Sequence, residues 1–293
     1  MQSQQKIALI EVVLATFLFA SQDAITRALS QTFPVHQFIS VRMVAFFAAA
    51  ILWAYFRGRL QTVHRSSAPF IQIARSLLWV LELMVFAWAL RYLELANAQA
   101  LFITFPLIVT VLAVPFLGET VGWRRGLSVV VGLVGALIII QPWQTTLSNA
   151  SWIAVLAAFM FAAYQLLTRK MSGVDGVETT VFYMGLVGVI VAPLFSLAEP
   201  WQPVDLVSGL WMALLCVTGI IGHGLLVDAL SRADASFIQP FNFLSLFFAI
   251  PVGYLAFGEV PSAATIVGGL LIVGSGLFVV FRERAKRSAN EDN

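Results

Sequence analysis

The sequence predicts an all-α integral membrane protein of ten transmembrane helices, arranged as two inverted five-helix repeats. Three features lead to this prediction: the composition, the number of long apolar stretches and an internal duplication. Hydrophobic residues make up 60% of the 293 residues and charged residues 11%, against about 45–50% and 25% in soluble domains. Lipid is therefore the expected solvent for most of the protein surface.

Ten apolar stretches are long enough to be transmembrane helices. A helix of about 20 apolar residues spans the hydrocarbon core, and all its backbone polar groups are bonded within the segment. The stretches are apolar on every side, unlike the one-sided pattern of helices on a soluble protein. They cover residues 7–29, 34–56, 69–90, 96–117, 126–140, 151–168, 178–197, 206–230, 236–257 and 262–281.

The basic residues predict the orientation of these helices. If the N-terminus is cytoplasmic, fourteen of the seventeen Lys and Arg residues fall at the cytoplasmic ends and loops. Positively charged loops remain on the cytoplasmic side of a membrane. We therefore expect a multi-pass membrane protein with both termini in the cytoplasm, which requires an even number of spans.

An internal duplication predicts two related halves. Residues 14–30 and 156–172 align at an offset of 142 with eight of seventeen positions identical, and Thr26-Arg27 matches Thr168-Arg169. Each half contains five spans, an odd number, so the second half must enter the membrane upside down. We predict a first repeat at 1–145, a second at 146–281 and a cytoplasmic tail at 282–293. Such halves can alternate between two packings around a site at their interface.

These features resemble the drug/metabolite transporter superfamily, and within it the ten-helix transporters with EamA domains. The resemblance rests on the ten spans in two halves, on Gly118-Glu119 and Gly258-Glu259 at the ends of the fourth and ninth spans, and on the Gly-rich fifth and tenth spans. It implies a transporter of small molecules in a bacterial inner membrane. The chain also has eight Trp residues and resembles the YddG type of exporter, which implies aromatic amino acids as cargo.

The third span carries a polar face that predicts a substrate site. Arg75, Trp79, Glu82 and Phe86 are spaced by four, three and four residues, which places them on one side of a helix. A charge at the bilayer centre costs about 2.5–3.5 kcal/mol on insertion scales. We therefore expect Glu82 either to have a function or to pair with another polar group. It either binds an amino group of the cargo, carries a proton or forms a structural pair with Arg75 or another neighbour.

Other spans contribute further polar candidates. The duplicated first and sixth spans hold matching polar patches, a histidine lies among glycines in the eighth span, and prolines interrupt the fourth and ninth spans at Pro106 and Pro240. Hydrogen bonds between helices, or packing alone, are the alternative explanation for each. Glu119 and Glu259 are expected to cap the helices that follow them. The predicted substrate-binding residues are Gln22, Asp23, Trp79, Glu82, Tyr164, Gln165, His223, Gln239 and Asn242.

The sequence lacks the motifs of several other classes of protein. It has no metal-site spacing of Cys or His, no Walker lysine and no Gly-x-Ser-x-Gly motif, so we expect no cofactor and no catalytic residues. The net charge of +2 does not indicate nucleic acid. The expected partners are a small-molecule substrate and the bilayer, and the sequence leaves the oligomeric state open. The resulting hypothesis is gradient-driven export of amino acids; other metabolites or drugs, an intramembrane enzyme and a channel are the alternatives.

Overall fold

The computed structural model describes residues 2–117, 123–141, 149–171, 174–232 and 239–291, and all regular elements within these ranges are helical. Two short 3₁₀ helices cover Phe195–Leu197 and Gln239–Phe243. The α-helices are α1 (Gln2–Thr32), α2 (Val35–Phe56), α3 (Pro69–Tyr92), α4 (Leu95–Phe102), α5 (Phe105–Leu117), α6 (Trp123–Ile140), α7 (Asn149–Met171), α8 (Val177–Leu194), α9 (Leu206–Arg232), α10 (Leu244–Phe257) and α11 (Ala263–Glu291).

The predicted class, an all-helical protein with many membrane spans, is confirmed. Seven helical segments are long and apolar enough to cross a membrane, and Gly126–Ile140, Phe241–Phe257 and Ala263–Phe278 are shorter apolar helices. Together they account for the ten predicted stretches. Large apolar side chains such as Phe56, Phe116 and Leu255 are mostly exposed, as expected for a surface in contact with lipid tails.

The fourth and ninth stretches are interrupted helices. In the fourth, α4 ends at Phe102 and α5 begins at Phe105. In the ninth, the 3₁₀ turn Gln239–Phe243 precedes α10. Prolines at 106 and 240 lie at these two breaks, and proline cannot donate a backbone hydrogen bond. Pro251, in contrast, lies within the continuous helix α10.

The helix pairing follows the pattern expected for two related halves. The pair α1–α9 has its counterpart in α3–α7, and α1–α10 has its counterpart in α5–α7. The pairs α2–α8 and α6–α11 join equivalent helices of the two halves. The pairing supports the duplication, while the repeat boundaries and the inverted orientation stay predictions.

Glycines bring α6 and α11 into close contact. A Cβ atom on Gly268 would lie 2.5 Å from the carbonyl oxygen of Gly135 and 2.6 Å from Cγ1 of Ile139. A Cβ atom on Gly135 would lie 2.7 Å from the carbonyl oxygen of Gly268. Small residues allow helix backbones to approach in membranes, where van der Waals packing drives association. This contact joins the fifth and tenth spans.

The first prediction tests this contact. Gly268→Ala should lower the unfolding temperature of the purified protein, because overpacking a tight contact costs about 1–3 kcal/mol. Gly274→Ala, on the same helix, is the matched control, since its Cβ would meet no atom within 4 Å and alanine favours the helix. Equal unfolding temperatures for the two variants would show that the α6–α11 contact is looser than described.

Candidate functional site

Three charged side chains from three helices meet in the interior of the bundle. They are Asp23 of α1, Arg42 of α2 and Glu82 of α3; the exposed fractions of Arg42 and Glu82 are 5% and 2%. Arg42 attracts both carboxylates, and the two carboxylates repel each other. Each charge carries the insertion penalty of a group at membrane depth, so their convergence needs a functional or structural reason.

These charges are only partly satisfied by the protein. The side-chain amide of Gln99, on α4, donates a hydrogen bond to Asp23. The Oε1 atom of Gln22 is buried and has no hydrogen-bond partner among the described residues. Among the residues that the structure describes, neither Arg42 nor Glu82 forms an ion pair or hydrogen bond with another side chain. The cluster therefore retains the capacity to bind a ligand with charges of its own.

An aromatic wall borders the charged cluster. The ring of His223 contacts the rings of Phe19, Phe46 and Trp79, with centroids 5.0, 5.8 and 6.2 Å away. Phe46 and Trp79 also contact each other, at 5.3 Å. The Nδ1 atom of His223 lies 2.9 Å from the carbonyl oxygen of Gly219. A carbonyl can only accept, so Nδ1 is the donor in this contact.

Two glycines of α9 allow α1 to approach this site. A Cβ atom on Gly219 would lie 2.8 Å from Oε1 of Gln22, and one on Gly222 would lie 2.8 Å from Cε1 of Phe19. Larger residues here would push α9 away from α1. The Gly-rich segment around His223 is therefore a point of tight packing beside the cluster.

Arg75 belongs to a second polar cluster on the same face of α3. It is fully buried, and its guanidinium donates to Oγ1 of Thr168 at 3.3 Å and to the carbonyl of Thr180 at 3.1 Å. It also lies over the ring of Tyr164, 5.6 Å from the centroid. Arg75 thus links α3 to α7 and α8, and it forms no ion pair with Glu82 within the described residues.

The structure brings together five of the residues expected from the sequence. They share the site just described and are Gln22, Asp23, Trp79, Glu82 and His223. Tyr164 contacts Arg75 and also interacts electrostatically with Glu82. Gln165 is half-buried on α7, and Asn242 is half-buried in the 3₁₀ turn. The side chain of Gln239 lies outside the described part of the chain. Whether any of them binds substrate stays a prediction.

Two members of the cluster were missed by the sequence analysis. Neither Arg42 nor Gln99 was among the predicted substrate-binding residues. A signal was available for Arg42, because an arginine eight residues into an apolar span requires an interior partner. A signal was also available for Gln99, which lies in the short helix before the Pro106 break.

The expectation for Glu259 was wrong. It does not cap the helix that follows it; its Oε2 atom accepts a hydrogen bond from the backbone amide of Leu95 at 2.9 Å, at the start of α4. The following helix, α11, is capped by Ser262, whose Oγ accepts from the amide of Thr265 at 3.1 Å. Glu119 lies outside the described residues.

Comparison with known proteins agrees with this fold. The model of the EamA-like transporter family matches residues 6–141 and 149–281. The chain belongs to the EamA-like transporter family. As a member of that family it is a membrane transporter and not an enzyme. A crystal structure at 17% identity gives a TM-score of 0.64 over 94% of this chain and 96% of that chain, which shows the likeness in fold.

Proteins similar to this chain are named as transporters of different molecules. A riboflavin transporter of Vibrio cholerae is 33% identical over 224 residues, 75% of this chain and 74% of that protein. An S-adenosylmethionine uptake transporter of Rickettsia felis is 27% identical over 263 residues, 88% of both chains. The pseudopaline exporter CntI of Pseudomonas aeruginosa is 27% identical over 266 residues, 89% of this chain and 91% of that protein. Similarity to these relatives therefore does not determine the cargo of this chain.

In this EamA-like transporter, Asp175 joins two loops at one end of the bundle. It lies between α7 and α8 and accepts hydrogen bonds from the hydroxyl of Ser66, the amide of Ser67 at 3.1 Å and the side chain of Gln72 at 2.8 Å. Burial alone would raise the pKa of Asp175, but these hydrogen bonds outweigh it and lower the pKa below its ordinary value of 3.8. The ionised form is thus favoured by folding.

The second prediction follows from this pKa. The contribution of Asp175 to stability is complete above pH 3.8 and is lost as the pH falls through its lower folded-state pKa. Asp175→Asn should therefore unfold at a lower temperature than the wild type near neutral pH. This difference should shrink below pH 3.8. Thermal unfolding of both purified proteins between pH 7 and pH 3 measures it, and a difference independent of pH would contradict the assignment.

Proposed function

We propose that this protein is a secondary transporter that exports amino acids, aromatic or otherwise apolar, across a bacterial inner membrane. It works by alternating access to a central chamber between two inverted repeats, at 1–145 and 146–281. Both termini and the tail at 282–293 lie in the cytoplasm, as the distribution of basic residues favours. The energy comes from gradients of the cargo or of ions.

The arrangement of Asp23, Arg42 and Glu82 is the observation that carries this proposal. A zwitterionic amino acid presents a carboxylate and an ammonium group attached to the same carbon. The planar guanidinium of Arg42 suits the carboxylate, which it can bind through two parallel hydrogen bonds. Glu82 forms no ion pair or hydrogen bond with another described side chain, and its carboxylate suits the ammonium group. Asp23 is already bonded to Gln99 and lies near enough to assist.

The aromatic wall supports an apolar or aromatic side chain on the cargo. Trp79 is 3% exposed and Phe46 is 9% exposed, and both rings contact His223 beside the charges. Aromatic rings prefer edge-to-face or offset packing and contribute about 0.5–1.5 kcal/mol beyond the burial of their area. A cargo ring can pack against aromatic side chains of this kind.

S-adenosylmethionine is a second candidate cargo. The Rickettsia felis relative is named as a transporter that takes it up, and the molecule carries an amino acid group together with a purine ring. It satisfies the same two requirements of opposite charges and an aromatic surface. Riboflavin has a ring system but no charged amino acid group, so it uses less of the site.

The third prediction tests the site through transport. In proteoliposomes loaded with unlabelled phenylalanine or tryptophan, Glu82→Gln and Trp79→Ala should each lower counterflow of the labelled amino acid by about tenfold to a hundredfold. Glu82→Gln weakens a hydrogen bond to a charged group, which contributes about 1.5–3 kcal/mol. Trp79→Ala removes an aromatic contact, which contributes about 0.5–1.5 kcal/mol beyond the burial of its area. Each 1.4 kcal/mol is a factor of ten. Protein abundance and elution from a sizing column should match the wild type.

Matched controls exist for both substitutions. Trp88→Ala removes a tryptophan from the same helix that is 45% exposed, and Glu199→Gln removes an exposed carboxylate in the loop before α9. Both controls should keep wild-type counterflow. Unchanged counterflow in Glu82→Gln and Trp79→Ala would remove α3 from the site. Counterflow of S-adenosylmethionine or riboflavin, with none for any amino acid, would replace the proposed cargo.

A further inference from the structure

Arg27 and Glu259 form an ion pair that joins α1 to the turn after α10. Their side chains are 16% and 13% exposed, so the pair is largely removed from solvent. The guanidinium of Arg27 also lies over the ring of Phe257, 4.6 Å from its centroid. Interactions of this kind are stronger away from water, where the dielectric is low.

Glu259 extends this connection to a third segment. Its Oε2 atom accepts a hydrogen bond from the backbone amide of Leu95 at 2.9 Å, at the first residue of α4. The left-handed conformation of Gly258, with φ 68°, turns the chain so that the carboxylate reaches back. The position of a Cβ on Gly253 lies 3.4 Å from Oε2 of Glu259 and 3.5 Å from Cβ of Leu95, so α10 packs against both. We call Arg27, Glu259 and the Leu95 amide the clamp.

The clamp lies one helical turn from the charged cluster. Arg27 follows Asp23 by four residues on α1, and Leu95 precedes Gln99 by four residues on α4. Four residues of α-helix span about 6 Å. The same two helices are therefore joined twice, by the Asp23–Gln99 bond at the site and by the clamp beyond it. The clamp therefore lies between the charged cluster and the end of the bundle where α1 ends and α4 begins.

We propose that the clamp is the gate on the external face of the transporter, and that it must open before cargo leaves the site on that side. This inference rests on the alternating-access function proposed above. The external assignment follows from the predicted cytoplasmic N-terminus, which puts the end of α1 and the start of α4 outside. Glu259 and Arg27 are thus positioning residues that hold the closed state and do not touch the cargo. The repeat-related residues Glu119 and Arg169 lie outside the described side chains.

The single cysteine of the chain allows a direct test. Cys216 is buried on α9 and interacts electrostatically with Arg42, so it reports access to the charged cluster. In intact cells, a membrane-impermeant thiol reagent should label Cys216 slowly while the clamp is closed. Glu259→Gln and Arg27→Gln each remove the ion pair and should raise the labelling rate from outside by about tenfold or more, equivalent to about 1.4 kcal/mol.

A second carboxylate on the external side provides the control for this labelling experiment. Glu199→Gln, which removes a carboxylate in an external loop but not from the clamp, should label at the wild-type rate. Sizing-column elution confirms that each variant is folded. The gate would be overturned if the labelling rate rose in neither clamp variant. It would also be overturned if the control rose equally, or if the rate rose only in inside-out vesicles. Labelling requires no cargo, so this result is independent of whether amino acids are transported.

Discussion

A charge within hydrocarbon must be compensated, and the sharing of Arg42 by two carboxylates is the interaction on which the proposed site depends. Asp23, Arg42 and Glu82 come from three different helices, so the packing of α1, α2 and α3 determines their meeting point. The single positive charge of Arg42 attracts both carboxylates but can balance only one of them. In the proposed function, a cargo that brings both a carboxylate and an ammonium group restores the balance. The same three charges therefore affect both the stability of the fold and the proposed transport.

The same constraint explains where the helices are interrupted. Backbone that is not helical is tolerated at membrane depth only where it is buried in protein or lines a cavity. The break between α4 and α5 and the 3₁₀ turn before α10 occupy equivalent positions in the two halves of the chain. The first break leaves α4 as a short helix whose start receives Glu259 and whose middle carries Gln99. Because of the interruption, the short helix α4 carries both the backbone amide that Glu259 binds and the Gln99 side chain of the candidate site.

Much of the fold could be predicted from the sequence because lipid imposes simple rules. The ten apolar stretches, the breaks near Pro106 and Pro240 and the buried face of α3 all follow from local composition or spacing. The Asp228–Arg232 ion pair, at 2.8 Å, also follows from a spacing of four residues. These features need only the neighbouring sequence.

The contacts between distant segments could not be predicted in this way. Glu259 was expected to cap the next helix, but its partner is the amide of Leu95, 164 residues earlier in the chain. Arg75 was considered as a partner of Glu82, but it bonds to Thr168 and to the Thr180 carbonyl. Hydrophobic patterning shows that a residue is interior, whereas its partner depends on which helices pack together and at what height.

Binding of a series of analogues tests the central claim most directly. Phenylalanine, phenethylamine, which lacks the carboxylate, and 3-phenylpropionate, which lacks the amine, are titrated against the purified wild-type protein by calorimetry. If Arg42 binds the carboxylate and Glu82 the ammonium group, phenylalanine binds and each analogue loses affinity by about tenfold or more, as expected for a lost charged hydrogen bond. Equal affinity for all three compounds would contradict the account, because the charged cluster would then contribute nothing to recognition.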